Sequence, residues 1–323
     1  MNRSKLRIAD RIAAVNTDVE FDAMAMEIFE LQRNSSSIFS EFIDQVKDVK
    51  PEPFPFLPIE AFKHHNIGTA EDGGAIFKSS GTSGSHRSSH NVADIELYKT
   101  LSQKAFEHLF GSLTDWTVLA LLPSYLENGD SSLVFMVNHF INEARSNSQF
   151  VSDPQNIFKL LASQKERNLP TLLIGVSYAL LDLAAQHSFD WRGLSVMETG
   201  GMKGRKKELT RGELHRALQR GFPSSAIHSE YGMTELLSQA YAVEGEWFSA
   251  PPWMRVYTTS ISDPFKILDP NQRGLLAFVD LANVHSCSFI QTRDIGIINS
   301  SGSFKVEGRL DNSDIRGCNL LYT

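Results

Sequence analysis

The chain contains few cysteines, and this shortage excludes two classes of small stabilised fold. Only Cys287 and Cys318 occur among its 323 residues. Two cysteines cannot form a disulfide framework or a cysteine-based zinc site, and so low a content is typical of proteins from a reducing compartment.

Long hydrophobic runs are also missing. The most apolar stretch, Thr171 to Ala185, is interrupted by Ser177 and Asp182 and falls short of the roughly 20 residues that a membrane-spanning helix needs. The beginning of the chain, MNRSKLRIADRIAAV, is too charged for a secretory signal. We therefore expect no membrane span and a cytoplasmic location.

Positive charge is not in excess. Lys and Arg total 31 against 38 Asp and Glu, which gives a net charge of −7. This balance argues against a broad basic surface, so we expect no nucleic acid partner and no anionic membrane partner. With 41% hydrophobic residues the chain can bury a large core, as one large domain or two ordinary ones. Small molecules are the expected partners.

Small hydroxylated residues and glycines are concentrated in one run, SSGTSGS, which covers Ser79 to Ser85. Glycines let the backbone approach a polyanion, and hydroxyl and N–H groups donate hydrogen bonds to its oxygens. His86, Arg87 and His90 follow and would add positive charge near distal phosphates. The run differs from the P-loop of NTPases, because its glycines are too close together and no Lys-Ser or Lys-Thr pair follows. Such runs also occur in plain surface loops, so other segments must decide.

The first part of the chain is predicted to be helical. Thr17 to Glu20 has the spacing of a capping box and precedes an apolar stripe at helical spacing, formed by Phe21, Met24, Ala25, Ile28 and Phe29. The proline-rich stretch from Pro51 to Pro58 predicts an extended connector that packs its phenylalanines.

Strand and helix patterns alternate in the middle of the chain. Buried strands are predicted at four places: Trp116 to Leu122, Thr171 to Gly175, Leu194 to Thr199, and Ser225 to Ser229. Helices are predicted up to His187 and over Lys206 to Arg220, so the spacing indicates a parallel sheet with crossover helices. From about Gly274 the segments GLLAFVDLA, CSFIQT, IGIIN and SFKVEG predict short strands of an antiparallel, barrel-like end.

Two polar segments follow predicted strands. The glycine pair in Glu198-Thr199-Gly200-Gly201-Met202 would let a flat ring lie against bare backbone, although an ordinary strand-to-helix turn has the same composition. In SEYGMTE, a base can stack on Tyr231, the hydroxyl of Thr234 can bind a phosphate oxygen, and Glu235 can hold Mg²⁺. The alternative there is a solvated turn with a packed tyrosine.

The order and approximate spacing of four segments resemble those of the adenylate-forming enzymes, which include acyl-CoA synthetases and peptide-synthetase adenylation domains. The segments are SSGTSGS, YGMTE, TRDIG at Thr292 to Gly296, and GRLD at Gly308 to Asp311. Three further stretches, FLPIEAFKHH, ETGGMKGRKKE and SDIRGCNLL, are similar to the acyl-protein synthetase (LuxE-like) family, whose namesake activates fatty acid for bacterial luminescence. The resemblance covers nearly the whole chain.

The resemblance implies an α/β fold, the large N-terminal domain of the adenylate-forming enzymes. It would have mixed and parallel sheets with flanking helices, a small β-barrel-like subdomain and a helical N-terminus. We expect this domain over residues 1–311, with the helical segment at 1–55 and a C-terminal stub at 312–323 where a small mobile domain would begin. Most relatives continue there for roughly another hundred residues and carry a catalytic lysine in that domain.

The resemblance also assigns site residues. The β- and γ-phosphates of ATP would be bound by Ser79, Ser80, Gly81, Thr82, Ser83 and Gly84, with Arg87 where many relatives have a lysine. The adenine would lie against Gly200, Gly201 and Tyr231, next to Gly232. Thr234 would contact the α-phosphate, Glu235 would bind Mg²⁺, and Asp294 and Arg309 would hold the ribose. Without the other motifs, Asp294 would be a turn residue and Arg309 one half of a surface ion pair.

The implied activity is ATP-dependent activation of a carboxylic acid, expected to be a fatty acid, with release of pyrophosphate. The carboxylate attacks the α-phosphorus already ionised, so no general base is needed, and positioning with charge neutralisation provides the catalysis. Lys203, with Arg205 and Lys206, is a hypothetical substitute for the missing lysine. The apolar stretches Leu121 to Phe140 and Thr171 to Leu183 suit an acid pocket, but core packing predicts the same composition.

The implied acceptor is a thiol. Cys318 matches the position of a C-terminal cysteine that carries the acyl group in the luminescence enzyme, and Arg316 would favour its thiolate, before transfer to a partner protein. The alternative for Cys318 is a small buried residue of the last strand, and Cys287 is interpreted as structural. Two competing functions remain: a ligase that uses CoA, related to the phenylacetate-CoA ligases, and a nucleotide-binding protein that has lost catalysis.

Overall fold

The protein is described by a computed structural model over residues 7–49, 53–68, 74–79, 87–122, 129–200 and 209–310. The α-helices in these ranges are α1 (Ile8–Ala13), α2 (Asp18–Ser35), α3 (Ser37–Val46), α4 (Ala61–His64), α5 (Ile95–Phe110), α6 (Ser132–Glu143), α7 (Pro154–Glu166), α8 (Ser177–Gln186) and α9 (Arg211–Gly221). No helix within these ranges combines the length and the apolar character needed to cross a membrane.

The β-strands of the same ranges are β1 (Leu57–Pro58), β2 (Ala75–Lys78), β3 (Ser89–Val92), β4 (Thr117–Leu121), β5 (Gln149–Phe150), β6 (Thr171–Gly175), β7 (Leu194–Glu198), β8 (Ala226–Tyr231), β9 (Ala240–Ala242), β10 (Met254–Thr259), β11 (Gly274–Asp280), β12 (Phe289–Ile298) and β13 (Phe304–Arg309).

The chain divides into two units. The first contains the described residues of Met1–Ile76, Gly81–Ile95 and Pro252–Thr323, and the second those of Phe77–Ser80 and Glu96–Pro251. Each unit has its own main sheet, and strands β2 and β3 form a separate two-stranded sheet.

The second unit contains the predicted parallel sheet. Its strand order is β5-β4-β6-β7-β8-β9, with all pairs parallel except β8 with β9. Every residue of β4, β6 and β7 is buried, as expected for parallel strands without a solvent-facing side. The last predicted strand is longer than expected, because pairing with β9 extends β8 to Tyr231.

The predicted charged helix also differs at its start. α9 begins at Arg211 rather than at Lys206, because Thr210 has an extended backbone and its side chain caps the helix. Thr210 and Glu213 form a complete capping box, with each side chain bonded to the backbone of the other residue. The apolar stretches considered as an acid pocket belong to the core where they are described: Leu122, Met136 and Leu173 are all buried.

The first unit contains the antiparallel sheet predicted after Gly274. Its order is β1-β12-β11-β10, and β13 pairs with β12 as well. Most of CSFIQT and IGIIN, expected as two strands, forms one strand, β12 (Phe289–Ile298), whose pairing with β11 and β13 is irregular. At Gly296 a side chain would collide with the backbone oxygen of Lys305, so glycine permits the close approach of β13.

The helical N-terminus packs on this sheet through aromatic residues. The ring of Phe54, from the proline-rich connector, lies 4.6 Å from that of Phe289 in β12, and Phe39 stacks on Phe289 at 5.7 Å. The predicted helix start is confirmed, since Thr17 Oγ1 accepts from the N–H of Glu20, but Glu20 accepts from Asn16 N–H and Thr17 Oγ1 and not from the backbone of Thr17, so only half of the capping box forms. The connector is extended and packs its phenylalanines, as expected.

Candidate nucleotide site

Three parallel strands of the second unit end next to predicted site residues. β6 ends at Gly175, β7 at Glu198 and β8 at Tyr231. Because the carboxyl ends of parallel strands meet at one edge of a sheet, and ligands of open α/β sheets bind there, this edge is the candidate site of the unit.

Glu198 connects the segments at this edge. Its Oε2 accepts hydrogen bonds from Ser177 Oγ and from the N–H of Gly200, both at 2.8 Å. Its Oε1 lies 3.3 Å from Nε of Arg211, an ion pair without hydrogen-bond geometry. Glu198 is only 1% exposed. Its carboxylate connects the first residues of α8 and α9 to the loop after β7.

Gly200 has the backbone that the flat-ring hypothesis requires. Its φ of +72° lies in the left-handed region that favours glycine, and nothing lies within 4 Å of the position a side chain would take. The backbone is therefore bare and open at this point, which fits an approaching planar ring.

Tyr231 is held by its neighbours. Its ring is buried and lies 5.7 Å from that of Phe248, and the guanidinium of Arg211 lies 4.4 Å above the other ring. These contacts agree with the alternative interpretation of Tyr231 as a packed tyrosine. Stacking of a base on Tyr231 stays a prediction.

Thr234 and Glu235 lie in the turn between β8 and β9, and both side chains are buried. The alternative of a solvated turn therefore fails for these two side chains, although Gly232 is exposed. Among the residues that the structure describes, no group of three or more His, Cys, Asp or Glu side chains is placed to hold a metal.

The predicted ribose residues meet in the first unit. Asp294 of β12 and Arg309 of β13 are directly opposite each other, with Arg309 Nε 3.8 Å from Asp294 Oδ1. The arginine side chain is 64% exposed and the aspartate side chain 16%. The surface ion pair considered for Arg309 is thus present, and its partner is the other predicted ribose residue.

The start of the phosphate run is partly described. Ser79 follows β2 in the second unit, where Lys78 N–H donates to the backbone oxygen of Asp130 at 2.8 Å. Arg87 is half-buried and precedes β3 in the first unit. The expectation that His90 adds charge to a phosphate is wrong, because His90 is fully buried, hydrogen-bonded to Ser286 Oγ at 2.8 Å.

Several predicted residues lie outside the described ranges: Ser80, Gly81, Thr82, Ser83, Gly84, Gly201, Lys203, Cys318 and the whole stub at 312–323. Cys287 is described and fully buried, as its structural interpretation requires. Burial raises the pKa of its thiol to about 12.

Sequence reasoning missed two charged residues of the second unit, Arg211 and Glu230. Glu230 is buried in β8, and its pKa is raised to about 8 by burial and by the charge of Glu198, against the opposing effect of Arg211. Beside it, burial raises the phenol pKa of Tyr98 and Tyr241, and the charge of Glu230 adds to both shifts. The sequence did contain a signal for Glu230: it is a charged residue within the strand pattern AIHSEY, directly before the YGMTE segment.

Comparison with known proteins finds no matching family model and no matching curated protein. Solved structures do match. ATP-bound MatB from Rhodopseudomonas palustris is 19% identical with a TM-score of 0.54, over 75% of this chain and 50% of that one. A 2-hydroxyisobutyryl-CoA ligase, solved with 2-HIB-AMP and CoA, is 8% identical with a TM-score of 0.69, over 91% of this chain and 70% of that one.

A long-chain-fatty-acid-CoA ligase from Archaeoglobus fulgidus is 15% identical with a TM-score of 0.51, over 73% of this chain and 51% of that one. The chain thus spans about half the length of this ligase and of MatB. At such identities the likeness concerns the fold, and it confirms the predicted fold class. The chain has the mixed α/β fold of the large N-terminal domain of adenylate-forming enzymes.

Proposed function

We propose that the protein activates a carboxylic acid with ATP, releases pyrophosphate to leave an acyl-adenylate, and transfers the acyl group to a thiol. The observation that carries the proposal is the arrangement at the carboxyl ends of β7 and β8. There the open backbone of Gly200 and the turn with the buried side chains of Thr234 and Glu235 follow adjacent strands, in the fold that ATP-bound MatB also has.

The adenine, the ribose and the α-phosphate of ATP would each contact residues that can bind them. The adenine would lie against Gly200 and Tyr231, and the hydroxyl of Thr234 would donate to the α-phosphate. Asp294 would accept hydrogen bonds from the ribose hydroxyls, with Arg309 beside it. Glu235 would hold Mg²⁺, which when bound neutralises phosphate charge.

The remaining charge would be handled by the phosphate run and its basic neighbours. The residues Ser79 to Gly84 would donate hydrogen bonds to the β- and γ-phosphates, and Arg87 would add a fixed positive charge. Lys203 is proposed as a further cation beside the adenine loop. The chain's task is to position an already ionised carboxylate for in-line attack, so no proton has to be removed.

The finer form of the proposal concerns the acid and the acceptor. The family resemblance favours a fatty acid, transferred to Cys318 and then to a partner protein. Cys287 is unsuited as acceptor, because its thiol is buried and its raised pKa disfavours the thiolate. The alternative acceptor is CoA, favoured by the CoA ligases among the structures of similar fold.

Acid-dependent exchange of labelled pyrophosphate into ATP tests the adenylation step. We expect exchange with at least one acid and none without acid. Binding of ATP without any acid-dependent exchange would instead identify a nucleotide-binding protein that has lost catalysis.

The acceptor is tested separately. With ATP and an active acid, mass spectrometry should detect an acyl adduct that is missing in Cys318→Ser. Acid-dependent consumption of CoA, with no adduct on the wild-type protein, would identify a CoA ligase.

A further inference from the structure

Three buried polar side chains converge at the ends of β8 and β9. Glu230 and Tyr241 are direct partners in this antiparallel pair, and side chains of such partners extend to the same face of the sheet. A side chain at Gly232 would collide with Glu230 Oε1 and would lie 3.5 Å from Gln239 Cγ, so both residues cover this glycine. Glu230, Gln239 and Tyr241 are called the strand-end cluster below.

The cluster has more hydrogen-bonding capacity than its protein neighbours use. Gln239 Nε2 donates to the oxygen of Leu237 at 3.4 Å and its amide also bonds Tyr98, whose hydroxyl donates to the oxygen of Ser132. Within the described part of the chain, Gln239 Oε1 and the Tyr241 hydroxyl have no hydrogen-bond partner. These residues are only 3% and 1% exposed. Since buried polar groups are nearly always bonded, both atoms are available to a further hydrogen-bond partner.

The charge around Glu230 indicates the kind of partner. Of the described groups that act on it, Glu198 repels the ionised carboxylate and Arg211 attracts it, and the repulsion is the larger effect. A buried carboxylate requires a compensating cation or loses its charge. A cationic hydrogen-bond donor would therefore satisfy the cluster better than a neutral molecule.

The cluster and Tyr231, on which the base is predicted to stack, lie on opposite faces of β8. Ser229 bonds His215 of α9 at 2.8 Å, so Tyr231, two residues further along the strand, also faces α9. Glu230 lies between them and faces the other side, where its partner Tyr241 packs against α5. A ligand of the cluster would thus lie on the opposite face of β8 from a base stacked on Tyr231.

The same face reaches the beginning of the phosphate run. The ring of Phe77, two residues before Ser79, lies 5.4 Å from that of Tyr98, and Tyr98 bonds Gln239 of the cluster. A group held by the cluster would therefore lie on the side of Ser79, the first residue of the segment proposed to bind the phosphates.

We propose that the strand-end cluster binds an ammonium group of the substrate, so that the acid activated is an amine-bearing carboxylic acid. The ammonium would donate to Gln239 Oε1, to the Tyr241 oxygen and to the Glu230 carboxylate, whose charge it balances. This inference rests on the proposed function and replaces the fatty acid as substrate. An alkyl chain in the same place would leave all three groups unpaired.

Pyrophosphate exchange with matched acids tests the inference. Straight-chain acids of about three to six carbons are compared, each with an amino, a hydroxyl or a methyl group at the same carbon. We expect kcat/KM to be at least about 100-fold higher for the best amino acid than for its methyl partner, with the hydroxyl acid between them.

Variants connect that preference to the cluster. Glu230→Gln should lower the preference for amine over hydroxyl by about 10-fold or more, and Tyr241→Phe should lower kcat/KM for the amine by about 10-fold while sparing the methyl acid. Tyr257→Phe, on β10 of the first unit, is the matched control and should change neither ratio. Thermal melts establish that each variant is folded.

The outcomes separate this inference from the proposed function. Equal use of methyl and amino acids, or a preference untouched by both cluster variants, overturns the inference and leaves adenylation standing; the cluster then holds only buried water. If no acid supports exchange, the proposed adenylation is overturned. Binding to the cluster is then tested by the change in melting temperature that each of the same acids causes. The inference is supported if only the amino acids stabilise the wild type and they do not stabilise Glu230→Gln. It is overturned if the wild type and Glu230→Gln respond alike.

Discussion

Glu198 of the second unit and Asp294 of the first both pair with an arginine, but in different surroundings. Glu198 is almost fully buried and also accepts two hydrogen bonds, whereas the Asp294 and Arg309 pair bridges two strands with an exposed arginine. A buried charge must keep its partners, and an exposed pair contributes little to stability. We therefore expect changes at Glu198, next to the predicted adenine loop, to lower both stability and nucleotide binding. Changes at Asp294 or Arg309, the predicted ribose residues, should lower nucleotide binding alone.

Glu198→Ala should break this comparison most strongly. It leaves Arg211 buried without its carboxylate and removes the acceptor of Ser177 and Gly200, so we expect a loss of about 3–5 kcal/mol in the free energy of unfolding. Pyrophosphate exchange should fall by roughly 100-fold through misplacement of the adenine loop. Urea titration and the exchange assay measure both.

Glu198→Gln is the matched control, because it keeps an acceptor oxygen and removes only the charge. It should fall between the wild type and Glu198→Ala in both assays. A change of less than about 1 kcal/mol in Glu198→Ala would contradict the role of this carboxylate as a structural tie.

Glu230→Gln should change the dependence of stability on pH. The folded pKa of Glu230 is raised from 4.5 to about 8, so its contribution to stability is fully present below pH 4.5 and is lost as the pH rises to about 8. The free energy of unfolding should fall with pH in this window by up to about 1.4 kcal/mol per unit, and the glutamine variant should remove that slope.

Urea titrations at pH 5, 6, 7 and 8 are the suitable measurement. Glu244→Gln, at an exposed glutamate of the same unit, should leave the slope unchanged. Parallel pH profiles for the wild type and Glu230→Gln would show that this carboxyl is not held in its neutral form.

Gly200→Ala should have a smaller effect. Nothing lies near the added methyl group, so the cost is the left-handed backbone alone, about 1–2 kcal/mol. The KM for ATP should rise as well, because the methyl group would occupy the side from which the base approaches.

Gly245→Ala provides the control for this change, with a φ of +69° and equally open space. It should cost the same in unfolding and leave the KM for ATP unchanged. Equal KM values in the two variants would argue against an adenine site at Gly200.

Arg309→Ala should have the smallest effect on stability, below about 1 kcal/mol, because the arginine is exposed. We expect a rise of about 10-fold in the KM for ATP from a lost contact to the ribose. Arg273→Ala removes another exposed ion pair of the same unit, with Glu307, and should leave the KM unchanged. A KM that does not respond to Arg309→Ala would reduce its role to that of a surface ion pair.

Local patterns predicted the elements that depend on local interactions. The cap at Thr17 and the strand at Thr171–Gly175 were confirmed, because capping depends on neighbours in sequence and a continuous apolar run is typical of a buried parallel strand. The start of α9 was misplaced, since the pattern of charges continues before the cap at Thr210. β12 was divided into two strands, because an irregular ladder resembles a turn in sequence.

The candidate site was predictable only where a motif marks it. Gly200, Tyr231, Thr234 and Glu235 were identified from the segments that contain them, and the structure gathers them at one edge of the second unit. Glu230 escaped notice, since its importance depends on burial beside Tyr241.

The sequence by itself determined the α/β fold class and the places of most strands along the chain, and it marked the segments predicted to contact a nucleotide, because short-range periodicity and motif order encode them. Only the tertiary structure decided which polar groups are buried: it places His90 in the core, pairs Asp294 with Arg309, and gives the Tyr241 hydroxyl no hydrogen-bond partner among the described residues. The physical reason is that burial and hydrogen bonding depend on residues distant in the chain, whose positions no local pattern specifies.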